Sequence, residues 1–158
     1  MKLTVKQKKK LALEFMKKLV PDLQDLFNLN DWRFFYKLTS KNCEEWASID
    51  VYCRMKEAVI YLNPYMEAEE EKDILFEWGI SLVHELAHCL LCSTWDIVKI
   101  ILNSSSEDVR HYLFPIVNEI YERDIESIAK VLINMEEVHK SIERVVSYFN
   151  NKLTEGGI

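Results

Sequence analysis

Glycine and proline are scarce in this chain, with three of each among 158 residues. That excludes collagen-like and linker-like compositions. It also argues against a turn-rich β-sandwich and favours helices. A basic excess is lacking too. Twenty Lys and Arg face 26 Asp and Glu, for a formal net charge of −6, which argues against nucleic-acid binding through a basic surface. No uninterrupted apolar run approaches the ~18 residues of a membrane span, so no membrane partner is expected. Cysteines are few: Cys43, Cys53, Cys89 and Cys92. A chain of 18.8 kDa can bury a core without disulfides as staples. The start is basic, but Glu14, Lys17 and Lys18 break the apolar stretch behind it and no small-residue cleavage site follows. The expectation is a cytoplasmic protein with reduced thiols.

What is present is an ordinary globular balance, 49% hydrophobic and 29% charged. One α+β domain is expected over 1–158, with an N-terminal helix over 5–20, a sheet region over 32–63 and a helical region over 67–153. Leu11, Phe15 and Leu19 recur at helical spacing in the first segment, with Met16 and Val20 alongside. The lysines between them (Lys6, Lys8, Lys9, Lys10, Lys17, Lys18) read as a solvated face. Pro21 ends or kinks this helix, and Asp22 to Phe27 add another turn or two.

Three short β-type runs follow: Trp32–Leu38, Ser48–Cys53 and Ala58–Leu62, the last stopped by Asn63-Pro64. A long helix is predicted from about Glu67 to Leu91, opening on an acidic first turn. A short helix over Trp95–Leu102 comes next. The run Ser104-Ser105-Ser106-Glu107-Asp108 reads as a stop and a capping signal, Pro115 as the first residue of a helix reaching about Met135. Glu136–Leu153 forms a last amphipathic helix, and Gly156-Gly157 fall in a frayed tail.

The chemistry sits at His84-Glu85-Leu86-Ala87-His88. Two imidazoles at i and i+4 share one helix face and can grip a single Zn²⁺. The Glu after the first His can reach a water on that ion without ligating the metal, which makes Glu85 the expected general base. The flanks Ser81, Leu82, Val83, Cys89 and Leu90 carry no charge, and burying two His and a Glu without partners is costly.

A catalytic zinc of this kind needs a third protein ligand and an open position. Metzincins would place Gly at 91 and His at 94; Leu91 and Thr94 exclude that class. The remaining solution is a carboxylate on a later helix, from Glu119, Glu122, Asp124 or Glu126. At about 100° per residue, Glu122 lies about 75° from the centre of that helix's apolar face and Asp124 about 85° on the other side. Glu119 and Glu126 lie more than about 100° away. Geometry therefore leaves Glu122 and Asp124 nearly level.

The pair of segments, His84-Glu85-Leu86-Ala87-His88 and Glu122 followed by Ile128-Ala129 and Leu132-Ile133, resembles the minimal gluzincins. Those include small phage and prophage metallopeptidases, the minigluzincins and, more distantly, the ImmA/IrrE family. The resemblance covers about residues 46 to 133. It implies a zincin-like fold, with a small three-stranded or slightly larger sheet against the helix of the paired histidines. It implies Zn²⁺ on His84, His88 and Glu122, and Ala58–Leu62 as the edge strand along which a peptide substrate lies. Glu126 or Asp124 would orient an imidazole. Ile125 and Glu126 stand where the ImmA/IrrE pattern has Ala and Asn, so that family's repressor-cleaving role is not carried over.

Lesser features have plainer readings. Cys89 and Cys92 read as buried thiols, since three ligands in a row along one helix cannot wrap a tetrahedral ion. His111-Tyr112 reads as a surface pair, with oxyanion stabilisation as the functional alternative. Tyr121 reads as a core residue. The expected function is a zinc-dependent peptidase. The alternatives are a catalytically silent zincin-fold protein that keeps zinc, and a metal-free helical interaction protein.

Overall fold

The computed structural model describes residues 3–67 and 71–155. Along the chain come α1 (Val5–Leu26), β1 (Arg33–Leu38), β2 (Ala47–Tyr52), a 3-10 turn at Cys53–Met55, β3 (Glu57–Leu62), α2 (Glu71–Asn103), α3 (Glu107–Ile133) and α4 (Glu136–Thr154). The fold is α+β, with four helices and one mixed three-stranded sheet among the described residues.

Thr4 starts α1 with a capping box: its hydroxyl accepts from the Gln7 backbone N–H, and the Gln7 side chain accepts from the Thr4 N–H. Pro21 does not end the helix: the turns expected over 22–27 continue it to Leu26, past the expected boundary at 20. The apolar face explains this, because Leu19, Val20 and Leu23 are fully buried across the proline and packing outweighs the lost hydrogen bond. Lys8 departs from the solvated face. It is buried, and its Nζ reaches the Met66 carbonyl at 3.5 Å.

The sheet order is β1-β3-β2, with β1 parallel and β2 antiparallel to β3. This corrects the sequence expectation for 58–62. That segment is the central strand, hydrogen-bonded on both sides, and it has no edge to offer a peptide. Its compact composition is the reason, since Ala58, Ile60 and Leu62 are all fully buried. The strand beside the helix of the paired histidines is β2, which is an edge strand.

α2 is one continuous helix of 33 residues rather than two. Ser93-Thr94 supply no breaker, and Cys92 and Leu102 are buried on either side of the expected gap. The acidic start expected at 67–73 falls partly on 68–70, outside the described residues, as does the tail at 156–157. Residues Asp73–Asn103 have the length of a bilayer-crossing helix, and an 18-residue window within them has a mean hydropathy of 1.3, more apolar than unbroken runs suggest. Over half of that apolar window, 56%, is buried inside the fold, as in a core helix. α3 begins at Glu107, so Pro115 lies inside it rather than at its first position. The Ser106 hydroxyl accepts from the Val109 N–H, and Glu107 and Asp108 face the positive helix end, so the start is set well before the proline.

Phe15 of α1 ties the core together. Its ring lies 5.9 Å from Trp78 of α2 and 5.8 Å from Phe149 of α4. Asn63, fully buried, joins the sheet to α2. Its amide donates to the Cys43 and Glu45 carbonyls at 2.9 Å, and its own carbonyl accepts from Trp78 Nε1 at 3.1 Å. α2 and α4 meet closely at Gly79, where an added Cβ would stand 2.7 Å from Ile142 Cγ2. Gly79→Ala gains about 1 kcal/mol of helix propensity but overpacks a β-branched side chain, at about 1–3 kcal/mol. A net loss on the order of 1 kcal/mol is expected by urea denaturation; a variant more stable than wild type would show that α4 yields at this crossing.

Candidate metal centre

α2 carries the motif on the one side its neighbours leave open. Leu82, Val83, Leu86 and Ala87 are fully buried, while His84 and His88 are half-buried. One helical turn sets the two rings 5.4 Å apart, at 70° to each other. α3 runs back along α2 and brings Glu122 to the same place. His84, His88 and Glu122 each offer a ligand atom within 4.8 Å of the other two, and His88 Nε2 lies 3.8 Å from Glu122 Oε2. Glu119, Asp124 and Glu126 are exposed and stand outside this group. Glu126 pairs with Lys130 at 2.7 Å, which lowers its carboxyl below the ordinary range, with a smaller contribution from His84.

The donor set suits a metal. The His88 imidazole is lowered to about 4 by burial, with the nearby His84 adding to the effect. It is therefore neutral at physiological pH, with a lone pair to give. At 3.8 Å, Glu122 is too far to hydrogen-bond it. Two imidazoles and a carboxylate form a common catalytic zinc set. A tetrahedral zinc with ~2.0–2.1 Å bonds would draw these atoms closer together.

Glu85 is buried beside them. Burial pushes its carboxyl up to about 8, and the negative charges of Glu45 and Glu122 push in the same direction. A cleft of about 510 Å³ opens over the group, lined by Glu45, Ser48, Ile49, Asn118 and the four site residues. Ser48 and Ile49 belong to β2, so the cleft lies between the sheet edge and the two helices. Asn118 was missed by the sequence reading, although it sits four residues before Glu122 on the same face.

A second hollow of about 200 Å³ continues past His88 and Glu122, between Ile49, Val51, Cys92, Trp95 and Tyr121. Tyr121 faces it rather than the deep core: its ring stacks on Trp95 at 4.4 Å and lies 5.7 Å from His88. Burial raises the thiols of Cys89 and Cys92. A hydrogen bond with Cys53 helps bring Cys92 to about 12, so without a metal both are neutral thiols at neutral pH. His111 and Tyr112 lie elsewhere, at the turn from α2 into α3, with Tyr112 exposed.

Compared with protein-family models, curated proteins and solved structures, the chain matches none.

With Glu122 as third ligand to a zinc in this group, Glu122→Ala should weaken zinc binding by more than about 100-fold. Glu126→Ala should cost about 10- to 100-fold or less, as an outer partner does. Glu119→Ala and Asp124→Ala should lie near wild type. Competitive zinc titration ranks the four; a largest loss at Asp124→Ala would reassign the third ligand.

Proposed function

We propose that this chain is a zinc-dependent peptidase of the minimal gluzincin type, with a zincin-like arrangement of edge strand, motif helix and ligand helix. The observation that carries the reading is the convergence of His84, His88 and Glu122 from two helices, with the buried Glu85 in the same cleft. When bound there, zinc supplies a Lewis acid that polarises a peptide carbonyl and makes water nucleophilic near neutral pH.

The chain's own residues do the rest. Glu85 takes a proton from the attacking water and returns it to the leaving amine, so that it ends each cycle as it began. Burial holds its carboxyl near 8 without a cation, and a divalent charge beside it favours the ionised form it needs as a base. The low exposure of Glu85 also limits competition from bulk water.

Substrate enters as an extended strand along β2, the free edge over the cleft, and not along 58–62. The hollow beside His88 and Glu122, where Ile49, Val51, Trp95 and Tyr121 meet the charged Asp96 and Lys99, would seat a substrate side chain with both apolar and polar contacts next to the scissile bond. All four cysteines are free, which suits the reducing cytoplasm.

Zinc should bind at about one equivalent and raise the melting temperature, because the site joins helices distant in sequence. Glu85→Gln should keep that zinc and that thermal shift but lose hydrolysis of a denatured protein by about 10²- to 10⁴-fold. Elemental analysis, thermal unfolding and a peptide-release assay check the three parts. Zinc binding without turnover in wild type would favour a silent zinc-binding protein. Equal melting with zinc and with a chelator would remove the metal centre altogether.

A further inference from the structure

Beyond the cleft, the C-terminal half of α2 and the N-terminal half of α3 form a helical hairpin. Its outer side is apolar and uncovered. Ile97 and Ile101 on α2, with Val109, Leu113, Ile116 and Ile120 on α3, are each between 37% and 61% exposed. The α3 residues are spaced four, three and four apart, which lines them up as one stripe for packing against another helix. Phase directs these stripes away from the cleft. Ile120 precedes Glu122 by two residues, about 200° around α3, and Ile101 follows Trp95, which stacks on α3, by six residues, about 120° around α2, with Ile97, about 160° from Trp95, at the rim of the face.

We propose that a second copy of this chain covers this face, hairpin against hairpin, in a two-fold symmetric dimer. The area fits. Six half-exposed aliphatic side chains present on the order of 500 Å² of apolar surface, at the upper end for a monomer's largest patch. A standard-size interface buries about 800 Å² per partner, of which about 56–65% is apolar, so the patch is large enough for a dimer at the small end of the range. The stripe itself carries no charge, so the chain's net charge of −6 opposes contact only at longer range.

Charge also discriminates against a bilayer. The hairpin carries Asp96, Glu107, Asp108 and Glu119 against Lys99 and Arg110, whereas helices that lie on anionic membranes are rich in Lys and Arg. The proposal does not depend on the metal centre and holds with or without zinc. In such a dimer both clefts face away from the shared surface and stay open to substrate.

Sedimentation velocity on the full chain, from about 1 to about 100 µM, tests it on the concentration scale of dimers of this size. The expected species is twice the 18.8 kDa chain mass. Ile116→Glu should weaken association at least about 100-fold with an unchanged circular dichroism spectrum, because it puts an unpaired charge in the interface. Ile101→Glu does the same from the other helix and serves if the first variant misfolds. Phe35→Glu, on a comparably exposed site of β1, should leave the dimer intact. A wild-type chain that stays monomeric at about 100 µM overturns the proposal, as does a dimer that both hairpin variants leave intact. Wild-type monomer that pellets with phosphatidylglycerol vesicles would overturn it in favour of a membrane.

Discussion

The structure depends on the burial of α2 from several directions at once. The sheet, α1, α4 and α3 each take part of its circumference, and Trp78, Leu82, Val83 and Leu86 vanish completely from solvent. At roughly 1.5–3 kcal/mol for each large apolar side chain, this one helix contributes much of the favourable burial in the fold. Its neighbours are held in place by the same contacts. Phe15 reaches Trp78 and Phe149 together, so α1 and α4 are positioned by reference to α2.

A helix so deeply buried is a poor place for two imidazoles and a carboxylate unless one side stays open. β2 and α3 leave that opening between them, and the cleft occupies it. The polar groups are half-shielded there, not fully removed from water. The consequence is visible in their protonation. The same low-polarity surroundings that favour neutral His88 also favour neutral Glu85, two opposite shifts from one cause. A divalent ion among them would restore the carboxylate's charge while using the imidazole's lone pair. Burial thus favours the protonated form of Glu85, and the negative charges of Glu45 and Glu122 push in the same direction.

The elements most legible in the sequence are those whose local pattern and tertiary role agree. The three strands appear within a residue or so of their expected places, and α4 begins at Glu136 as its pattern predicts. Where packing competes with a local signal, packing prevails. Pro21 and Pro115 both lie within helices, because buried residues continue beyond the first and a Ser106 cap precedes the second. Ser93-Thr94 fail to divide α2 because Trp95 beyond them has Tyr121 to stack on. The Ser106 cap is local and legible in the sequence, whereas the packing partners of the residues beyond Pro21 and of Trp95 are distant in the chain and could not be read from a window of it.

By itself the sequence determined that His84, Glu85 and His88 lie on a single helix with its polar groups together, because helical periodicity is a property of the local chain. It also narrowed the third partner to four carboxylates. Only the tertiary structure shows which of them stands beside the two histidines, because the rotation and placement of α3 against α2 depend on how Trp95, Tyr121 and Ile125 pack. A difference of about 10° between Glu122 and Asp124 is beyond what wheel geometry resolves. The strand beside the cleft was likewise decided by pairing. A buried central strand and an edge strand against a helix can have similar compositions, and hydrogen bonding to β1 and β2 placed 57–62 in the middle and left the free edge to β2.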